Sequence, residues 1–139
     1  MRNQRKSRLK LIAICTVVFV LVFTFSVVLY AATPNRLRSI VTLAADKKEV
    51  YSSQYGGVVS KGQLSNDYRS AGNAKLSLYY SAGSSWYELE TINALPGQIV
   101  GTSPWGSANT NYLFKIRVFA PGIYIGHPGR VATGYIYTN

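Results

Sequence analysis

Beyond residue 32 this chain contains no cysteine and no methionine. A disulfide framework is therefore excluded for that part, and its stability must rest on an apolar core. Histidine is nearly as scarce, with His127 the only one. A zinc site needs three or four ligands drawn from His, Cys and carboxylates, and no such cluster exists, so no metal is expected. A Ser-His-Asp triad would have to use His127, which reads as a loop residue between Gly126 and Pro128. No nucleophile elbow accompanies it. No Gly-rich loop stands between a strand and a helix, which removes the nucleotide-binding motifs, and no cofactor is expected. Acids are few: Asp46, Glu49, Asp67, Glu88 and Glu90 are all there are.

The carboxylates are the last place to look for catalysis. Glu88 and Glu90 stand two apart in an alternating segment, which predicts one shared face and a backbone separation of about 7 Å. That spacing resembles a glycosidase pair. Both fall on the polar side of the alternation, however, and a solvated strand face accounts for them. The expectation is a protein that is not an enzyme.

What is present is most informative at the start. Residues 1–10 carry Arg2, Arg5, Lys6, Arg8 and Lys10 with no acid, and residues 11–32 carry no charge at all. A basic flank before an uncharged apolar run is an export signal, with the basic end cytoplasmic and the rest of the chain outside. A helix over residues 11–32 would rise roughly 33 Å, enough for a hydrocarbon core of about 30 Å. Length favours a retained single-pass anchor in the cell membrane. Ala31 and Ala32 before Thr33 and Pro34 offer a signal peptidase small residues, although Leu29 or Tyr30 would fill the −3 position. Cleavage near Ala31 or Ala32 would release a secreted protein. Both outcomes stay open. Cys15 lies within the apolar run, and with Ile14 before it a lipoprotein is not expected.

Residues 33–139 make one domain. Ten basic residues there face the five acids. A basic exported domain attracts anionic envelope polymers, and its compartment argues against nucleic acid. The domain is rich in Tyr, Ser and Gly, an all-β composition. Strands are predicted at 38–45, 49–55, 58–60, 63–69, 74–81, 86–92, 99–102, 112–120 and 131–138. Turns are predicted at Lys61 and Gly62, over 82–85 as a hairpin loop, and at Pro96 and Gly97. Over 112–120, Tyr112, Phe114, Ile116 and Val118 share one face and Lys115 and Arg117 the other. Short strands with turns every 8–12 residues imply a small antiparallel β-sandwich, jelly-roll-like or immunoglobulin-like, preceded by one N-terminal apolar helix.

The aromatic residues exceed what a small core needs: Trp86, Tyr79, Trp105, Tyr124, Tyr135 and Tyr137 are in surplus. Rigid amphipathic rings on a surface stack on sugars or grip a protein. Trp105, Trp86 and Tyr124 are the candidate ligand contacts, and a plug at one end of the fold is the other reading of Trp105. The expected function is a bacterial cell-surface or secreted protein that binds an anionic envelope polymer, a carbohydrate or a protein partner. The alternative is a secreted bacteriocin-like or toxin-like effector. The membrane is a partner through residues 11–32 if that segment is uncleaved.

Overall fold

A computed structural model describes residues 34–107, 110–122 and 129–139. The expected helix over 11–32, Cys15, Tyr124 and His127 lie outside the described residues. Among the described residues ten strands follow one another: β1 (Arg36–Leu43), β2 (Glu49–Tyr51), β3 (Tyr55–Gly57), β4 (Val59–Asn66), β5 (Ala74–Ala82), β6 (Ser85–Ala94), β7 (Ile99–Gly101), β8 (Trp105–Gly106), β9 (Tyr112–Phe119) and β10 (Ala132–Thr138). They form two antiparallel sheets. The first runs β1-β10-β4-β7 with β8 also on β4, and the second runs β2-β9-β5-β6 with β3 also on β9.

The expected alternation explains the core. Phe114, Ile116 and Val118 of β9 are fully buried, as are Leu76 and Leu78 of β5. They meet Leu43, Leu64 and Ile136 from the first sheet in one cluster. Odd residues of β9 face out and even ones face in, because a strand alternates with a period of two.

Four local expectations are corrected. Lys61 and Gly62 do not turn: β4 runs through them. Gly62 faces the second sheet, and a Cβ there would stand 2.8 Å from Leu76 Cδ2. The glycine permits close approach of the sheets, a role that a strand glycine can take as well as a bend. The hairpin loop is shorter than 82–85, because Ala82 already pairs with Ser85. Gly83 at φ +83° supplies the positive φ that a two-residue type II′ turn needs at its first position. The segment 49–55 is not one strand: β2 ends at Tyr51 and β3 begins at Tyr55, with residues 52–54 between them. Ser52 N still donates to Ile116 O at 3.0 Å, and Ser52 Oγ takes the place of a backbone acceptor for the Ile116 N–H at 3.0 Å. Last, β6 carries a bulge. Leu78 pairs with Glu90 but Tyr79 pairs with Glu88, so two residues of β6 oppose one step of β5.

The turn at Pro96 and Gly97 forms as expected. Gln98 N donates to Leu95 O at 3.0 Å and Gly97 has φ +81°, the type II arrangement. Its return to the first sheet is held by Asn66, a buried side chain whose Nδ2 donates to Gly72 O and Ala94 O, each at 3.0 Å.

Candidate functional site

The outer face of the second sheet gathers rings and cations. In register across it stand Lys115 beside Tyr79 and then Glu88, and Tyr51 beside Arg117, Ser77 and Thr91. Trp86 lies one row away, opposite Ser81. The residues come from β2, β9, β5 and β6. Four strands at about 4.8 Å spacing give a row roughly 14 Å long.

Lys115 is the centre of this face. Its Nζ lies 4.1 Å from the Trp86 ring centroid, 5.7 Å from Tyr51 and 5.8 Å from Tyr79. Three ring faces therefore hold one ammonium, an arrangement in which each ring's negative quadrupole attracts the charge. Arg117 lies 4.3 Å over Phe119, and its Nε donates to Glu49 Oε2 at 2.6 Å. Burial works against the Arg117 charge, yet hydrogen bonds to Tyr79 and Glu49 outweigh it and raise the pKa above the ordinary value. The consequence is a pair of cations with little freedom. Ring contacts leave ammonium N–H donors available, and a long side chain already immobilised loses less entropy when it takes a ligand.

The polar flank is equally connected. Glu88 accepts from Tyr79 Oη at 2.9 Å and from Thr91 Oγ1 at 2.8 Å. The Thr91 hydrogen bond, with help from Tyr79, holds its carboxyl below the usual carboxylate value despite partial burial. Burial, then the Glu88 hydrogen bond, pushes the Tyr79 phenol up.

Glu88 and Glu90 do not form a pair. The bulge breaks the alternation between them, so Glu88 stays on the outer face while Glu90 is opposite the inward Leu78. Glu90 Oε2 accepts the Ser103 N–H at 2.8 Å, tying the sheet edge to the segment after β7. Each carboxylate has a structural partner. Among the described residues no three His, Cys, Asp or Glu side chains converge as a metal site would need.

Of the sequence candidates, Trp86 sits on the cationic face. Trp105 packs elsewhere, half-buried between the sheets, with ring centroids 4.4 Å from Tyr80, 5.1 Å from Tyr112 and 6.1 Å from Phe114. It closes one end of the core. Tyr135 and Tyr137 are on the outer face of the first sheet, away from Trp86. Tyr51 and Phe119 were not among the sequence candidates. Phe119 shares parity with Lys115 and Arg117, so the alternation of β9 already pointed it outward. Tyr51 depends on the pairing of β2 with β9, which no local pattern reveals.

No protein-family model matches this chain, and no curated protein matches it. Among solved structures, the chain is similar to the Yersinia pseudotuberculosis-derived mitogen at 11% identity and a TM-score of 0.41, covering 76% of this chain and 86% of that one. It is also similar to a Bacillus endospore appendage protein of the disulfide-linked pili, at 14% identity and a TM-score of 0.31, covering 76% of this chain and 93% of that one. Likeness at that level fixes neither fold nor function.

Proposed function

We propose that this chain is an exported, non-enzymatic β-sandwich of jelly-roll type that binds an anionic polymer of the cell envelope through the outer face of its second sheet. The observation that carries the reading is the caging of Lys115 by Trp86, Tyr79 and Tyr51, with Arg117 fixed beside it. Rings provide flat apolar surface and the cations provide donors. A row of about 14 Å suits several consecutive units of an extended polymer. The strand orders support the jelly-roll alternative over the immunoglobulin-like one. With β2 and β3 taken as one interrupted strand, and β7 and β8 as another, each four-stranded sheet alternates strands from both halves of the chain.

The residues 11–32 support a location at the outer side of the membrane, by retention or after cleavage. Intact mass with fractionation decides which: full-length material of 15.3 kDa in the membrane fraction means an anchored domain. Soluble material of the mass of residues 33–139 means a secreted one and strengthens the effector alternative.

Binding is tested with the full chain in detergent on immobilised poly(glycerol phosphate), with neutral dextran as the control. Retention on the polyanion should weaken as salt rises, since exposed charges are screened. Lys115→Gln and Trp86→Ala should each lower affinity several-fold and leave the fold intact. Equal retention on dextran, or no effect of either variant, would overturn the reading.

A further inference from the structure

On the first sheet, the side away from the core holds a separate cavity of about 260 Å³, lined by Lys61, Gly62, Gln63, Gly101, Thr102 and Tyr137. It exists because the strand beside β4 is interrupted. β7 pairs with Gln63 to Ser65 and β8 with Val59 and Ser60, which leaves Lys61 and Gly62 without a strand on that side. Thr102 fills the break by accepting the Gly62 N–H at 2.9 Å, and donates to Ser103 O at 3.1 Å. Its hydroxyl is thus committed to the backbone. Gly101 provides the floor. A Cβ on Gly101 would meet only Gly62 O, at 3.7 Å, so the missing side chain is open space.

The remaining groups are mostly donors. Tyr137 Oη donates to Gln63 Oε1 at 3.1 Å, which engages the amide oxygen and leaves the amide N–H groups free to donate. Lys61 Nζ stands 5.3 Å from the Tyr137 ring centroid, and no carboxylate among the described residues forms an ion pair with it. The lining contains no acid. The cavity therefore combines one ammonium, one amide and one aromatic wall over a bare backbone floor. Its volume is below the roughly 300–1,000 Å³ of pockets for drug-sized ligands, and matches a single ring-sized group.

We infer that this cavity is a binding site for one carboxylate-bearing sugar residue. The carboxylate takes Lys61 and the Gln63 amide, and the ring body lies against Tyr137 over Gly101. A charged acceptor suits the donors, because charge-assisted hydrogen bonds are the stronger kind. The rigid ring suits the aromatic wall. The site is on the sheet opposite Lys115 and Trp86, so it stands or fails independently of polymer binding there.

The test uses isotopically labelled full-length chain in detergent, titrated separately with glucuronate, glucose and inorganic phosphate. Glucuronate should shift the amide resonances of Lys61, Gln63, Gly101 and Tyr137 with saturation in the millimolar range, and bind at least about tenfold more tightly than either other probe, about 1.4 kcal/mol. Gly101→Leu should abolish the shifts by filling the floor. Its backbone φ is outside the left-handed region, so the fold should survive. Lys61→Gln should reduce glucuronate affinity to that of glucose. Equal binding of phosphate, which would mark a bare anion site, overturns the inference. So does equal binding of glucose to the unmodified chain, or glucuronate binding that survives Gly101→Leu.

Discussion

Single residues in this molecule act mainly through what they allow others to approach. Gly134 of β10 faces the second sheet, and a Cβ there would overlap Val118 Cγ2 and press on Ile116 and Leu76. Gly134→Ala should therefore destabilise by about 1–3 kcal/mol, the usual cost of overpacking a filled core, as read from a urea midpoint. Asn66 works in the opposite sense, through bonds it makes. Its Nδ2 satisfies two carbonyls, Gly72 O and Ala94 O, from two different segments. Asn66→Ala removes this donor from the buried Ala94 O, while Gly72 O keeps the Ser70 Oγ–H at 3.0 Å, so a loss of about 1–3 kcal/mol is the expected scale. Denaturant unfolding of the variant checks it, and a change below about 0.5 kcal/mol would mean that water replaces the amide. Neither role was legible in the sequence. Gly62 read as a turn, because a glycine has the same letter whether it bends a strand or admits a neighbour. The distinction lies across the core, in Leu76 and Val118.

At the scale of elements, the sequence was most readable where partners are adjacent. The hairpin of β5 and β6 follows from alternation on both sides of Gly83, and the inward set of β9 follows from its own parity. The bulge in β6 had a signal that the expected pattern passed over. Apolar residues fall at odd positions through Tyr87 and Leu89, then at even positions from Ile92, and a change of parity within one strand requires an extra residue. That extra residue separates Glu88 from Glu90 and leaves Glu88 to the outer network. Because hydrogen bonding from Thr91 and Tyr79 lowers its pKa below the ordinary 4.5, Glu88 adds stability that is complete above about pH 4.5. That stability is lost as pH falls through the lower folded value. Glu88→Gln should therefore be less stable than the parent at neutral pH, with the gap closing in acid. Urea midpoints measured from about pH 7 to pH 3 would show two curves converging. Parallel curves would remove Glu88 from the account.

The whole molecule is organised by pairings that join distant parts of the chain. Arg36 lies opposite Thr138, Glu49 opposite Phe119 and Ser60 opposite Thr138. Non-local pairing of this kind folds slowly, in roughly milliseconds to seconds, since chain entropy is lost before contacts form. With only two tryptophans, Trp86→Phe leaves Trp105 as the one indole, placed among Tyr80, Tyr112 and Phe114 at the end of the core. Stopped-flow fluorescence of that variant should report refolding on this timescale, and microsecond refolding would contradict the topology. The same pairing sets an order of events during synthesis. β1 sits at the edge of its sheet with β10 as its neighbour, so β1, made before the other described strands, waits for 132–138 before its backbone donors and acceptors are matched. During that interval Leu37, Ile40 and Val41 belong to an unpaired apolar strand, a template for association with another chain. Arg36, Arg38 and the bulge between Leu37 and Ser39 are the features that make such an encounter less productive.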